Sequence, residues 1–372
     1  MKKDNRLGYF PWSDEIRNEC REIYRDGGFP ILEIETSSIC LFKKNYGGCI
    51  YCDSETGWEQ DDELDVDQIK KIIDALKAKG LRWLFICGLG EPLDDKKFFE
   101  MIRYCNKLGI KSSVFTNGLY LSNKLRDVKK IIKELYKNHV SLLVKYDSPN
   151  AETFACTLGI SDPSVLQRNY DFLESALTIG YCSNSAPDLA LSIVPTRKNI
   201  KEIPEIITYC SSKKIFPFLG ELEKAGSALE LYEKMVPSSE ELQLLKKRIE
   251  KILGYQYKIP ICPASIYGLH VNNKGLVTVD ELTGLSCQWF HLKNPKVIAI
   301  GSILNKDPAT ILKKIFRYRE SKLPHLHTLD LNLKKSVFGG CGGREILEEY
   351  KNFTKIMGNP KKSSFASREK KI

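Results

Sequence analysis

Ile31-Leu-Glu-Ile-Glu35, followed by Cys40-Leu-Phe-Lys-Lys-Asn-Tyr-Gly-Gly-Cys-Ile-Tyr-Cys52, is the stretch that decides how this chain is read. A short apolar run gives way to a loop with cysteines spaced C-x8-C-x2-C. Three thiolates from one loop hold three corners of a metal cluster and no more. An iron–sulfur cube normally takes four cysteines, and a structural zinc site is normally closed by four ligands. A loop one ligand short leaves a metal position open for chemistry. On the triplet alone, zinc, an iron–sulfur cluster and unrelated buried thiols all stay open. Gly47 and Gly48 let the backbone bend sharply and bring Cys49 back toward Cys40.

Outward from this loop, strand-like and helix-like segments alternate from residue 31 to 221. Apolar runs predict strands at 31–36, 82–87, 111–116, 140–146, 188–194 and 215–221. Helical periodicity predicts helices at 65–79, 95–108, 122–138, 163–180 and 201–214. Regular βα alternation implies a parallel sheet with right-handed crossovers. Six units predict an α/β fold, a partial (βα)6 parallel barrel. In parallel barrels the active site lies at the carboxyl ends of the strands. The cysteine loop follows strand one, Gly88-Leu-Gly-Glu-Pro92 follows strand two, and Thr116-Asn-Gly118 follows strand three.

This order of cysteine loop, Gly-Glu-Pro turn and Thr-Asn-Gly turn resembles that of the radical S-adenosylmethionine (SAM) enzymes, over about residues 30–225. Gly88 to Pro92 is similar to the family's Gly-Gly-Glu-Pro motif, with Leu89 in place of the second glycine. The cysteine spacing departs from the family's commonest C-x3-C-x2-C. The resemblance implies that Cys40, Cys49 and Cys52 hold a [4Fe–4S] cluster whose fourth iron takes the amino and carboxylate groups of S-adenosylmethionine. It further implies reductive cleavage to a 5′-deoxyadenosyl radical that abstracts a substrate hydrogen. Gly88 and Gly90 would let the backbone approach the methionine moiety, and Glu91 would accept from its ammonium. Tyr51 stands at the family's aromatic position, toward adenine. Asn117, Ser148 and Ser192 are ribose candidates, and the Arg168 fork suits the carboxylate. No residue is singled out as the general acid or base.

Beyond the barrel, Pro237-Ser-Ser-Glu-Glu-Leu242 reads as a helix start, with the helix running to about Leu253. His270 to Val279 predicts a hairpin turning near Asn273-Lys-Gly275. Cys262, Cys287 and Cys341, the last within Gly339-Gly-Cys-Gly-Gly343, resemble the Twitch or SPASM extension of the same family. That implies one auxiliary iron–sulfur cluster in a small C-terminal α+β domain. The expected organisation is a helical segment at 1–30, the barrel at 31–225, a helical connector at 226–260, the auxiliary-cluster domain at 261–356 and a disordered basic tail at 357–372.

Bulk composition narrows the functional classes. The chain has 372 residues, 42% of them hydrophobic, enough for one large domain plus a smaller one. It has no apolar stretch of membrane-spanning length and no apolar signal core, so a cytoplasmic protein without a membrane partner is expected. Twelve cysteines then read as metal ligands plus core fillers, with Cys20, Cys105, Cys156, Cys182 and Cys210 as the fillers. The net charge of +10 is partly a property of the tail, and no basic run flanked by aromatics points to nucleic acid. The sequence sets no oligomeric state.

The reading is thus an oxidoreductase- or maturase-type enzyme needing a reductant such as flavodoxin or ferredoxin. A small polar metabolite, oxidised or cross-linked, is slightly preferred as substrate. The alternative is maturation of a peptide or protein side chain. Only about 30 residues precede the first strand, so a peptide would need a separate recognition protein or a direct groove. A zinc-stabilised nucleic-acid-binding protein is the alternative of another class.

Overall fold

Asp65 and Gln68 start the helix that follows the cysteine loop by capping each other. The Asp65 carboxylate accepts from the Gln68 amide at 2.7 Å, and the Gln68 side chain accepts from the Asp65 amide at 2.9 Å. The computed structural model describes residues 14–52, 63–86, 88–119, 128–183, 188–224, 226–257, 259–262, 264–281, 285–287, 297–305, 307–323 and 339–341.

Helix Asp14–Arg25 (α1) precedes strand Ile31–Ile34 (β1), and the cysteine loop carries the short helix Leu41–Tyr46 (α2). Then come Val66–Lys77 (α3), Trp83–Ile86 (β2), Phe98–Lys107 (α4), Lys111–Thr116 (β3), Val128–Lys137 (α5) and Val140–Lys145 (β4). Ala151–Thr157 (α6), Ser164–Ile179 (α7), Leu189–Ile193 (β5), Ile203–Lys213 (α8) and Phe216–Leu219 (β6) complete the alternation. Strands β1 to β6 are parallel neighbours in sequence order. Their nearly continuous burial is what helices on one side and a closed face on the other require. The helices present Ile69, Ile72, Ile73 and Leu76 from α3, or Val128, Ile131, Ile132 and Leu135 from α5, at helical spacing to the sheet.

The sheet is curved. Phe115 on β3 and Phe218 on β6 meet edge to face with ring centroids 6.0 Å apart. Three strand spacings of about 4.8 Å would keep them about 14 Å apart on a flat sheet. The concave face carries Phe85, Phe115, Leu143, Ala190, Phe216 and Phe218 as one apolar cluster. This is the partial barrel. Its β6 edge is closed by Tyr257, whose hydroxyl donates to Pro217 O at 2.6 Å and accepts from Leu219 N at 3.3 Å.

The C-terminal region follows as Tyr232–Met235 (α9), Ser239–Leu253 (α10), Ile259–Cys262 (β7), Ala264–Tyr267 (α11), Leu269–Val271 (β8), Leu276–Asp280 (β9), Val297–Ser302 (β10), Pro308–Lys322 (α12) and Gly339–Cys341 (β11). Ser238 caps α10 in a capping box with Glu241. The hairpin of β8 and β9 forms with Gly275 in the left-handed region at φ 76°. It extends the barrel sheet: β8 pairs parallel to β1, and β9 and β10 follow antiparallel, giving nine strands among the described residues. Strands β7 and β11 form a separate parallel pair.

Cys20, Cys105 and Cys210 are fully buried, as core fillers are, and Cys182 is half-buried. Cys156 corrects the filler reading: it is exposed, on the outward side of α6, with Lys198 Nζ 2.8 Å from its sulfur. The short α6 buries Phe154, Ala155 and Thr157 instead. Among the described residues no helix is long and apolar enough to cross a membrane. The expected tail at 357–372 lies outside the described residues.

Candidate active site

The cysteine loop is built on its own local signals. Cys40 caps α2, its sulfur accepting from the Lys43 amide at 3.4 Å. Gly47 and Gly48 follow with φ of 84° and 85°, a conformation that side chains with a Cβ rarely adopt. The chain then turns back, and the Cys52 amide donates to Cys49 O at 3.1 Å. Outside partners hold it: Leu41 N donates to Asp94 Oδ2 at 3.1 Å, and Ser227 N donates to Cys52 O at 2.8 Å. Upstream, Glu63 accepts from Ser38 N at 2.7 Å and from Asn273 Nδ2 at 3.2 Å, tying the loop to the β8–β9 hairpin. All three cysteines are half-buried. Burial pushes the Cys40 thiol up to about 12, and the charges of Glu91, Cys49 and Cys52 add to this against the Lys43 amide. A metal held by these thiols would release protons on binding, and its binding would tighten as pH rises.

Among the described residues no three His, Cys, Asp or Glu side chains gather round a point as one metal ion would require. A cube sets its thiolates on separate irons, so that finding bears on a mononuclear site. The donor set fits a cluster: three half-buried thiols of one loop, electrostatically within reach of one another, with an ammonium on one of them.

The Gly-Leu-Gly-Glu-Pro turn lies against this loop. Gly90 N donates to Ser37 O at 3.2 Å and Glu91 N donates to Ile39 O at 2.7 Å. The Glu91 carboxylate is buried and accepts from Thr116 Oγ1 at 2.5 Å, Asn117 N at 2.7 Å and Leu93 N at 3.2 Å. Burial, with Asp94 beside it, pushes its pKa up to about 8 against those three donors. Glu91 thus joins the ends of β2 and β3. Gly88 is half-exposed and has no heavy atom closer than 3.6 Å to the position of a Cβ.

Of the other residues singled out in the sequence, Tyr51 donates its hydroxyl to the buried Asp147. The Asn117 side chain accepts from Leu119 N at 2.8 Å. Ser192 lies half-exposed on the concave face, in register with Lys145 and Phe218. Ser148 is fully buried and spends its hydroxyl on Glu202 and on Asn150 O. Arg168 is half-buried on α7, and its charge adds to the hydrogen bonds from Ser164 that lower the Asp162 pKa. Sequence reasoning missed Lys145 and Asp147. Lys145 Nζ lies 3.2 Å from the Cys49 sulfur, 3.5 Å from Asp147 Oδ2 and 4.0 Å from the Tyr51 ring centroid. Charges at alternate positions closing an apolar run were the available signal. Asn169 was also missed; its amide donates to Asn117 O at 2.8 Å and Lys145 O at 2.9 Å, clamping the ends of β3 and β4.

The second cysteine set lies on β7, on β11 and between β9 and β10. Cys262 and Cys341 are register partners across β7 and β11. Cys287 is buried, and its neighbour Ser286 donates its amide to Ser265 O at 3.3 Å, three residues past Cys262.

The barrel also carries a buried charge pair where β8 joins β1. His270 Nε2 lies 3.2 Å from Glu35 Oε1 and its Nδ1 3.1 Å from Thr278 Oγ1, with Glu33 in register beside it. Burial lowers the imidazole pKa, but the bond to Glu35 and the charges of Glu35 and Glu33 outweigh this and raise it above 6.5. A raised folded pKa gives stability that is complete below the unfolded value and lost as pH rises through the folded one. Urea midpoints should therefore fall from about pH 6.5 upward. His270→Gln should flatten that fall; an equal slope in both proteins would remove the pair's role.

Residues 34–205 match the Radical SAM superfamily. The S-adenosylmethionine-dependent nucleotide dehydratase of Selenomonas ruminantium is 31% identical over 44% of this chain and 57% of that protein. The mycofactocin maturase MftC of Mycolicibacterium smegmatis is 25% identical over 53% of this chain and 47% of that one. The chain thus spans about half the length of these curated relatives. Streptococcus suis SuiB, crystallised with its precursor peptide SuiA, shares the fold with a TM-score of 0.54 at 14% identity, covering 89% of this chain and 74% of that one.

Proposed function

We propose that the chain, whose residues 34–205 match the Radical SAM superfamily, is an enzyme that reductively cleaves S-adenosylmethionine at a [4Fe–4S] cluster and uses the resulting 5′-deoxyadenosyl radical to take a hydrogen from its substrate. The observation that carries this is the loop of Cys40, Cys49 and Cys52 packed on the Gly-Leu-Gly-Glu-Pro turn at the carboxyl ends of β1 and β2. The three thiolates hold the cluster and leave one position for the cosubstrate. Gly88, Glu91 and Asn117 border its methionine end. Tyr51, fixed by Asp147, presents its ring beside the loop, and Ser192 faces the lumen. Phe115 and Phe218 form an apolar floor beneath, which excludes water from a radical.

The substrate is a peptide or protein side chain, in a maturase-type reaction. Similarity to MftC and the SuiB-like fold favour it over the small metabolite preferred from sequence. The 31% identity to a nucleotide dehydratase favours a nucleotide as the second reading. Cys262, Cys287 and Cys341 hold one auxiliary cluster, supported by the register of Cys262 with Cys341. Flavodoxin or ferredoxin would supply the electron.

Anaerobic incubation of reconstituted protein with reductant and S-adenosylmethionine should yield 5′-deoxyadenosine. Cys40→Ala should reduce the yield to background and the iron content by one cluster. Reconstituted wild type that leaves S-adenosylmethionine intact would overturn the reading.

A further inference from the structure

The ammonium of Lys145 sits in a cage whose parts come from separate elements. Lys145 is the last residue of β4, on the concave face in register with Ser192. Its Nζ lies 3.2 Å from the Cys49 sulfur and 3.5 Å from Asp147 Oδ2. The Tyr51 ring lies under it at 4.0 Å. Asp147 is fully buried and is itself fixed, accepting from Val194 N at 3.0 Å through Oδ1 and from the Tyr51 hydroxyl through Oδ2. A lysine needed only to neutralise Asp147 would sit closest to that carboxylate. This one sits closer to the sulfur.

We propose that Lys145 is a positioning and tuning residue for the cluster held by Cys40, Cys49 and Cys52: its ammonium, locked between the Cys49 sulfur and Asp147, makes that cluster easier to reduce. The inference rests on the reading given under Proposed function. Reduction adds one negative charge to the cluster. A cation fixed within hydrogen-bond distance of a ligating sulfur favours the more negative form, and an N–H···S bond draws density from the sulfur in the same direction. Low local dielectric strengthens the effect. Asp147 opposes it, so the two residues set the potential with opposite signs.

The test is a potentiometric titration of the reduced-cluster EPR signal, without S-adenosylmethionine, on wild type, Lys145→Met, Lys145→Arg and Asp147→Asn, with iron and sulfide counted in each. At a fixed poise near the midpoint, the Met variant should show a ratio of reduced to oxidised cluster about tenfold lower than wild type, which is about 59 mV for a one-electron couple. The Arg variant should recover most of this, and Asp147→Asn should shift the other way. A Met variant with wild-type iron and an unmoved midpoint overturns the proposal. So does an unmoved midpoint accompanied by weaker S-adenosylmethionine binding, which would make Lys145 a ligand for the cosubstrate. If the Met variant fails to load iron, Asp147→Asn decides: a raised midpoint supports the proposal and an unchanged one overturns it. Wild type that takes up no iron overturns the cluster reading itself and the inference with it, a result distinct from an intact cluster with an unmoved potential.

Discussion

Gly90→Ala protein should lose its iron and melt early, while Gly88→Ala, two residues away, should melt like wild type. A Cβ on Gly90 would lie 2.0 Å from Ile39 O, 2.6 Å from Ile39 C and 2.7 Å from Ile39 N. All three are backbone atoms, so no rotamer change relieves the clash. The loop immediately before Cys40 must move, and with it the pairing of Gly90 N with Ser37 O and of Glu91 N with Ile39 O. Overpacking of this kind costs about 3 kcal/mol. From sequence, Gly90 was expected to approach the methionine moiety; the structure places the cysteine loop itself against it. At Gly88 the nearest atom to a Cβ is 3.6 Å away, an ordinary contact, and the expected stability change is within about 0.5 kcal/mol. Thermal melting and iron content after reconstitution measure both. A Gly90→Ala protein with wild-type melting and full iron would show that this contact does not form.

Arg319→Met should be the most damaging change away from the cysteines. Arg319 on α12 is fully buried, donating from Nη1 to Ile266 O at 2.9 Å and from Nη2 to Gly268 O at 3.0 Å. Its guanidinium also lies 5.6 Å from the Tyr24 ring centroid and 5.9 Å from that of Phe29. It therefore ties α1, α11 and the approach to β8 into one body. Methionine keeps much of the bulk but leaves two buried carbonyls without these donors, at about 1–3 kcal/mol each. The released desolvation of the charge offsets part of that. The expected net loss is about 3 kcal/mol in urea unfolding. An equally stable Met variant would mean that the carbonyls find other donors.

The barrel was legible because its signals are local. Apolar runs such as Val140 to Lys145 and helical faces such as Ile69, Ile72, Ile73 and Leu76 repeat with the period of their element, and all six strands fall where that period puts them. The cysteine loop and the Gly-Glu-Pro turn were legible for a related reason, since three cysteines and a glycine-rich turn at short spacing are distinctive residue types that a single loop carries. Helix α2 inside the loop was missed because Leu41–Tyr46 is too short to show a period. Cys156 was misread because one face of a seven-residue helix is a poor sample of periodicity.

Sequence alone determined the alternation of strands and helices and the placement of the cysteine triplet at the mouth of a parallel sheet. Each of those depends on residues within a few turns of one another. Tertiary structure decided that the β8–β9 hairpin joins β1 and that Lys145 reaches Cys49, 96 positions away. It also decided that the rings of Phe115 and Phe218 meet across the lumen. These pairings follow from sheet curvature and edge order, which arise when the whole chain buries its apolar surface at once and which no short window of sequence encodes.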